Sequence, residues 1–531
     1  MSIKLIYHDI SPTAKGESTI TATEQNSFVD LEELKADNLV VKNYNTLEPN
    51  RLILDGNSEN FPNSPVNMGY WSNNMSDENG NFSSTIQITR TFVNKHSAPG
   101  ISFIFDYYDE CYAKRLNVKW YRDSTLLYNK TFYPTESKCF CAQNVVAFNK
   151  VIATFYSTNK PHRYLKIYKI DDGIEREFYK DEITGLKVCE EISEIGESLS
   201  INTIDFDIKS KTDVEFMFQR TQKLTAYKNN KLLGAFFIDI SNRNAYNQYS
   251  IDAMDYIGVL ENQIFYGGIY NTITLPSLIA TILTDIPYEI DSSLQNITLT
   301  GYIPVGTKRE ALQKISFAVG CVIDCSRVDG ISIRALSNTV VSNIGKDRVI
   351  MGVKEEVSKI VTEIQLLSHN YVKNSTYTEV FSEVLTGEIT VLFSEPHHTF
   401  SITNGTIIKS DTNYAIISGT GSTTTLKARG YTDRSALLSL SNPLTTVTDT
   451  NNVISYQENT LITSVNSTTV LNRLATQCFR NKRLFATIKL VNEKVGDMVT
   501  IATDYGTKQG RIIGIELNPN TMYADVEILE A

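Results

Sequence analysis

The residues best suited to metal binding and nucleophilic chemistry are few in this sequence and widely spaced. The six histidines are His8, His96, His162, His369, His397 and His398, and the seven cysteines are Cys111, Cys139, Cys141, Cys189, Cys321, Cys325 and Cys478. No two histidines have the HExxH spacing of zinc proteases, and no cysteine pair lies beside a histidine at zinc-finger distance. These spacings predict no zinc site.

Two cysteine pairs are close in sequence, Cys139 with Cys141 and Cys321 with Cys325. Alternate residues of a strand point to the same face, so Cys139 and Cys141 could share a metal ion or form a disulfide. Isolated pairs of this kind are more often small apolar packing residues. Cys321 and Cys325 fall on a predicted hairpin strand, which favours packing further. We therefore expect all four cysteines to be packing residues.

Motifs for other chemistry are missing. Adjacent histidines on a strand point to opposite faces, so we expect His397 and His398, which follow Glu395-Pro396, to lie in a loop without a shared ligand. The sequence lacks the Gly-x-Ser-x-Gly element of hydrolases and the glycine loop that cradles phosphates. We therefore predict no catalytic residue, no metal or cofactor site, and no enzyme.

The most suggestive polar and aromatic cluster runs from Tyr70-Trp71 to Asp77-Glu-Asn-Gly80. One interpretation is a sugar-stacking tryptophan beside a calcium loop, although the segment has too few oxygen ligands for a complete loop. The other is a core tryptophan followed by a β-turn. We favour the second interpretation.

Composition limits the class of protein. The chain has 531 residues, enough for two to four domains, with 41% hydrophobic and 21% charged residues. Its net charge of −10, without a long basic run, argues against binding to nucleic acid. We find no secretory signal and no apolar run long enough for a membrane helix. An odd number of scattered cysteines is typical of a protein made in a reducing cytoplasm.

Short segments of alternating polarity, rich in Thr, Ile, Val and aromatic residues, predict a mainly β protein with a minor helical part. In residues 51–180 they are separated by turn residues, which favours an antiparallel sandwich of jelly-roll type. Asn229-Asn230 predicts a tight hairpin turn. A proline in the first turn predicts a helix at Pro276–Leu283, and the Thr307-Lys-Arg-Glu310 capping box predicts another ending at Gly320. A third amphipathic helix is predicted at Ser467–Arg480.

The order of these motifs resembles the baseplate or tail hub family of phages, phage-like bacteriocins and contractile injection systems. The resemblance rests mainly on residues 182–340, where the hairpin Lys228–Ile238, Asp255-Tyr-Ile-Gly-Val-Leu260 and Gly267-Gly-Ile-Tyr270 occur in order. The Gly306–Gly320 helix, the hairpin Cys321–Leu336 and the closing segments Val495–Val499 and Gly510–Ile515 extend it. Residues 51–180 depart from a minimal hub and resemble an inserted carbohydrate-module-like sandwich.

The resemblance implies three domains. Residues 1–50 and 181–340 would form a first, discontinuous hub barrel, residues 51–180 an insert, and residues 341–531 a second hub barrel. It further implies a homotrimeric ring that joins the tail tube to the spike and other baseplate proteins, in a virion or phage-like particle made in the bacterial cytoplasm. Some relatives carry a C-terminal muralytic domain, which we expect to be absent here.

Two other functions stay open. In the first alternative, the chain is a receptor protein of the tail that binds cell-wall glycan through residues 51–180. In the second, it is a tail-associated lysin that cuts cell-wall polymer. The sequence leaves the insert's role open between adhesion and bracing of neighbouring subunits.

Overall fold

The computed structural model describes residues 3–10, 14–36, 41–51, 59–61, 67–209, 220–443, 452–518 and 523–531. The chain divides into two compact units. The first unit comprises Met1–Lys4, Tyr179–Lys211 and Thr225–Ala531, and the second comprises Leu5–Phe178 and Thr212–Leu224. Strands dominate both units, which confirms the predicted mainly β class with a minor helical part. The predicted division into two hub barrels and an insert stays a prediction.

The second unit is built on a seven-stranded sheet. Six of its strands follow one another in space as Tyr70–Met75, Tyr164–Asp171, Asn81–Phe105, Lys138–Thr158, Ala113–Arg122 and Thr125–Phe132, and Thr19–Ala22 pairs with Asn81–Phe105. A short helix at Ala14–Glu17 and a 3-10 helix at Leu31–Lys35 belong to the same unit. The apolar side chains meet in one core that contains both tryptophans, Trp71 and Trp120. The alternating segments predicted as strands in residues 81–171 are therefore strands.

The main sheet of the first unit joins strands that are far apart in sequence. Eight of its strands follow one another as Val349–Val357, Lys482–Lys489, Tyr523–Glu530, Gly506–Leu517, Ile183–Glu191, Thr203–Lys209, Gln248–Met254 and Lys231–Ala245. Met498–Thr503 pairs with Gly506–Leu517, and Val340–Ile344 pairs in parallel with Met498–Thr503. Val188–Glu191 lies antiparallel to Gly514–Leu517, so strands of both predicted hub domains share one sheet.

Helices pack beside this sheet where local sequence predicts them. The helix Leu275–Ile282 begins after the cap Thr274 with a proline in its first turn, and Lys308–Val319 begins with a complete capping box between Thr307 and Glu310. Gly320 ends that helix in the left-handed conformation that glycine adopts without strain. The remaining helices are Tyr256–Leu260, Ser467–Cys478 and the 3-10 turn Ser292–Leu294.

Shorter sheets complete the first unit. Asn229 and Asn230 have φ of 49° and 60°, as the predicted hairpin turn requires. A four-stranded sheet is formed by Tyr371–Leu392, Tyr414–Asp433, His397–Thr403 and Gly405–Asp411, and a three-stranded sheet by Ala436–Ser441, Glu363–Ser368 and Val453–Tyr456. The other short strands are Ile264–Phe265, Gly268–Thr274, Tyr288–Ile290, Thr298–Ile303, Gly306–Thr307, Cys321–Asp324 and Ile331–Ala335. Three further strands, Ile3–Ile10, Gly173–Tyr179 and Lys223–Lys228, each contain residues of both units.

Candidate functional site

Trp71 lies inside the core of the second unit. Its strand, Tyr70–Met75, pairs with Tyr164–Asp171, and the side chain is 3% exposed. The indole N–H donates a hydrogen bond to the carbonyl oxygen of Met68 at 3.0 Å, and the ring of Phe61 packs edge-on against it. A sugar ring cannot stack on a buried indole, so the interpretation of Trp71 as a glycan platform is wrong and the core interpretation is confirmed.

The segment Asp77–Gly80 is a β-turn. The amide of Gly80 donates to the carbonyl oxygen of Asp77 at 3.0 Å, and Gly80 has φ of 78°. One carboxylate oxygen of Asp77 accepts hydrogen bonds from the amides of Asn79 and Asn81, both at 2.8 Å. That oxygen is therefore committed to the turn, as the non-calcium interpretation predicts.

A buried ionic cluster lies directly beneath Trp71. The ammonium group of Lys166 is 2.6 Å from Glu48 and 3.1 Å from Asp106, and all three side chains are at most 1% exposed. The same ammonium group lies 4.3 Å from the centre of a Trp71 ring, where a cation is attracted by the π electrons. Arg51 adds a second, more distant positive charge at 3.8 Å from Asp106. Each charge has an opposite partner, which makes its burial tolerable.

This cluster was missed by the sequence analysis. The strand Tyr164–Asp171 has lysines at positions 166 and 169, which fall on opposite faces, so its sequence does not single out one face as solvent-exposed. In the structure every residue from Leu165 to Asp171 is buried, so both faces of the strand are covered. A lysine that is buried on the second face can be found only once its carboxylate partners are known.

The two close cysteine pairs have different surroundings. Cys139 and Cys141 lie on one face of the strand Lys138–Thr158 with their sulfur atoms 3.9 Å apart. Cys321 lies at the start of a short strand and Cys325 just after it, and both are buried. All seven cysteines are free thiols.

The two adjacent histidines have different ring neighbours. His397 and His398 begin the strand His397–Thr403, so the predicted loop is wrong: their backbone pairs with Gly430 and Arg429. They do point in different directions, since His397 packs on Phe393 and His398 on Tyr431. Within the described parts of the chain no group of three or more His, Cys, Asp and Glu side chains is arranged to hold a metal ion.

His369 is held at both ring nitrogens. Its Nδ1 lies 2.7 Å from a carboxylate oxygen of Asp433, and its Nε2 lies 3.1 Å from the carbonyl oxygen of Gln457. Both nitrogens are thus engaged in hydrogen bonds between strands and loops, which gives this histidine a structural role.

The first unit contains a buried acid at the start of a helix. Asp255 caps the helix Tyr256–Leu260, accepting from the amide of Gly258 at 3.1 Å and from that of Asn202 at 2.9 Å. Burial raises the pKa of this carboxyl to about 7, against the opposing effect of the two backbone hydrogen bonds. Asp324 nearby, which accepts from the side-chain amide of Asn202 at 3.1 Å, raises that pKa further. Through these hydrogen bonds Asp255 and Asp324 both connect their own segments to Asn202.

For Glu493 the hydrogen bonds outweigh the effect of burial, so its pKa is lowered. Burial alone would raise its pKa, but hydrogen bonds from Ser342, the backbone amide of Val491 and Arg348 lower that pKa to about 2. The Ser342 hydroxyl and the Arg348 guanidinium each lie 2.6 Å from the carboxylate. The ionised carboxylate therefore fixes the loop before Met498–Thr503.

The surface of the first unit has open grooves. One groove of about 520 Å³ lies over the main sheet and is lined by Glu191, Met351, Lys354, Phe485 and Asp525 among others. Its lining residues come mainly from strands and include the half-buried thiol of Cys189. No helix in the described ranges is both long and apolar enough to cross a bilayer.

No family model matches this chain, and no curated protein matches its sequence. Several solved structures are similar to it. A tail protein from Neisseria meningitidis MC58 has 10% identity and a TM-score of 0.42, covering 67% of this chain and 94% of that one. The prophage tail protein gp18 from Listeria monocytogenes EGD-e has 11% identity and a TM-score of 0.39, covering 66% and 90%. A chain of the phage P2 baseplate has 10% identity and a TM-score of 0.27, covering 70% and 92%.

These matched structures belong to the class of tail and baseplate proteins that the resemblance in the sequence predicts.

Proposed function

We propose that this protein is a structural subunit of the tail baseplate of a phage or phage-like particle. Three copies would form a hub ring between the tail tube and the spike. The motifs that carry the resemblance support this proposal because each of them forms a helix or a pair of strands in the structure. They are the hairpin around Asn229-Asn230, the helix capped by Asp255, the capped helix before Gly320, and the closing strands Met498–Thr503 and Gly506–Leu517.

The observation that carries a self-assembling role is the open edge of the main sheet. The strand Val349–Val357 pairs with Lys482–Lys489 on one side, and no described strand pairs with its other side. Met351 is 99% exposed and Val357 is 59% exposed on this strand. An unpaired edge with exposed apolar side chains favours association with another chain. A threefold ring would cover this edge with a different surface of the next copy.

The mass of the full chain in solution tests the ring. We expect light scattering at micromolar concentration to give three times the chain mass. Replacing Val357 by glutamate places a charge in the proposed interface and should raise the trimer dissociation constant by about tenfold or more. Val146, which is 62% exposed in the second unit, provides the matched control, and Val146→Glu should leave the mass unchanged. A stable monomer of the unmodified chain would refute the proposal.

A second function, glycan binding by the second unit, is favoured by one exposed aromatic pair. Tyr107 and Tyr108 are 42% and 44% exposed, and their ring centres lie 4.6 Å apart. Tyr168 packs edge-on against Tyr107 and supports it from below. Sugar rings stack on aromatic faces that are held rigidly at a surface. This pair therefore replaces Trp71 as the candidate contact.

Binding of the full chain to an array of cell-wall glycans tests this second function. Tyr108→Ala should abolish binding if the pair is the contact, whereas Tyr128→Ala should not, although Tyr128 is equally exposed at 44%. Equal loss in both variants, or no binding by the unmodified chain, would reject it.

A further inference from the structure

Asp106 and Lys166 lie opposite each other beside two paired strands of the second unit. Phe105, which ends the strand Asn81–Phe105, pairs with Ile167 in antiparallel register, so the next position along each chain places Asp106 beside Lys166. The side-chain nitrogen of Lys166 lies 3.1 Å from Oδ2 of Asp106. Groups that are held at about this distance are close to the separation from which bound reactants form a bond.

Glu48 is fixed beside the same nitrogen. Its Oε2 lies 2.6 Å from the nitrogen of Lys166 and accepts a hydrogen bond from the hydroxyl group of Thr46 at 2.7 Å. Its Oε1 accepts a hydrogen bond from the backbone amide of Tyr164 at 3.0 Å. A carboxylate that is held against an amine can take a proton from it and pass that proton to a leaving group.

The second carboxyl oxygen of Asp106 faces two backbone donors. Oδ1 accepts hydrogen bonds from the amides of Tyr108 at 3.1 Å and Asp109 at 3.3 Å. Two backbone amides on one oxygen stabilise the negative charge that develops there when a nucleophile attacks the carbonyl carbon. The Asp106 carboxyl group therefore has one oxygen beside the amine and the other beside donors that would stabilise an oxyanion.

Water is excluded from all three groups. The side chains of Lys166 and Asp106 are 1% exposed and that of Glu48 is 0% exposed. A ring of Trp71 covers the nitrogen of Lys166 at 4.3 Å. Burial makes the separated charges costly, and the absence of water suppresses hydrolysis of an amide formed there. Both effects favour a neutral amide over the ion pair.

We propose that Lys166 and Asp106 condense after folding to an intramolecular isopeptide bond, with Glu48 as the proton carrier. The ammonium group of Lys166 first gives a proton to Oδ2 of Asp106. The neutral amine then attacks Cγ of Asp106, which forms the nitrogen–carbon bond and leaves negative charge on Oδ1. Glu48 takes a proton from the nitrogen and passes it to Oδ2, which leaves as water when its bond to Cγ breaks. An ammonium group and a carboxylate thus become an amide and water, without oxidation or reduction, and Glu48 is regenerated.

The charge of the cluster stays balanced through this reaction. Before condensation the cluster holds two cations, Lys166 and Arg51, and two carboxylates, Glu48 and Asp106. The reaction removes one of each. The new bond joins residues that are 60 positions apart, and a cross-link of this kind restricts the unfolded chain. Any substitution of Lys166 loses this restraint in addition to its ion pairs.

The mass of the full-length, denatured chain tests the bond. We expect the unmodified protein to be lighter than its sequence by one water molecule. After digestion with trypsin, a branched peptide should join residues 96–114 to residues 164–169, and its fragmentation should place the link between Asp106 and Lys166. Lys42 and Glu59, which lie 2.8 Å apart with more than half of each side chain exposed, should stay unlinked in the same digest.

Two variants separate the roles of the acids. Asp106→Asn should still form the bond but release ammonia in place of water, because the amine attacks the same carbonyl carbon. Glu48→Gln lacks the proton carrier, so the loss of water after synthesis should be slower by on the order of 100-fold or more. Glu59→Gln, which changes an exposed acid beside Lys42, provides the matched control and should lose water at the rate of the unmodified chain.

An unmodified chain that keeps its full sequence mass would overturn the proposal, and this measurement does not depend on the folding of a variant. Loss of water without a branched peptide would also overturn it, because a cyclic imide at an aspartate has the same mass. A branched peptide between residues 43–51 and residues 164–169 would overturn the assignment of Asp106 and identify Glu48 as the acid that condenses. Equally fast loss of water in Glu48→Gln would overturn the role of Glu48 as proton carrier.

Discussion

Replacing Lys166 by methionine removes the ammonium group that Glu48 and Asp106 share in the core of the second unit. Methionine keeps most of the length and the contact with Trp71. The two carboxylates are at most 1% exposed, so water cannot take over the role of the ammonium group. The variant therefore isolates the cost of leaving buried negative charge without its nearest partner.

The expected loss of unfolding free energy follows from the burial of these carboxylates. Removing one partner of a buried ion pair costs about 3–5 kcal/mol of unfolding free energy. Arg51, at 3.8 Å from Asp106, offsets part of this cost and places the expected value near the lower end. For a unit of this size, about 3 kcal/mol corresponds to a fall in the midpoint of thermal unfolding of roughly 6–12 °C.

Tryptophan fluorescence is a suitable assay because the chain has two tryptophans, Trp71 and Trp120, and both are buried in the second unit. The matched control is Lys42→Met, which removes a cation 2.8 Å from Glu59 where both side chains are more than half exposed. Exposed pairs contribute little, so this control should keep the midpoint of the unmodified chain.

Neutralising one of the carboxylates provides a rescue. Lys166→Met combined with Glu48→Gln should recover part of the lost stability, because one uncompensated charge is then removed. An unchanged midpoint in Lys166→Met, or an equal fall in the Lys42→Met control, would refute the argument that burial sets the cost.

Three further substitutions are predicted to act on stability. The pKa of Asp255 is raised from 3.8 to about 7. The free energy of unfolding should therefore be highest below pH 3.8 and fall by at most about 4 kcal/mol as the pH rises to 7. Asp255→Asn should remove this pH dependence of stability in urea unfolding. The pKa of Glu493 is lowered from 4.5 to about 2, so Glu493→Gln should destabilise the chain above pH 4.5 by up to about 3 kcal/mol, and the difference should vanish as pH falls to 2. Gly320→Ala should lower the free energy of unfolding by about 1–2 kcal/mol more than Gly387→Ala in the same assay. Both glycines have a left-handed backbone, but only at Gly320 would the new methyl group meet a neighbouring side chain, that of Arg473.

Much of the fold follows from local sequence. The capping box at Thr307, the proline after Thr274 and the two asparagines at 229 and 230 each specify one conformation through contacts within a few residues, and all are found as predicted. Strand segments between residues 81 and 171 follow from the period of two.

The candidate sites were less accessible from the sequence. The burial of Lys166 depends on carboxylates 60 and 118 residues away, which no local pattern reveals. The pairing of His397 and His398 with the strand Tyr414–Asp433 is also non-local, and Glu395-Pro396 just before them favours a loop. The shared face of Cys139 and Cys141, in contrast, follows directly from strand alternation.

The antiparallel pairing of Val188–Glu191 with Gly514–Leu517 sets an order of events during synthesis. The nascent chain leaves the ribosome with the strand Ile183–Glu191 lacking its neighbour on one side until Gly514 has been added. At about 5–20 residues per second, this interval lasts roughly 15–65 s. During that time the unpaired edge of Ile183–Glu191 can pair with strands of other nascent chains. Binding of a chaperone to this edge, or a lower rate of translation initiation, would therefore raise the yield of correctly folded protein.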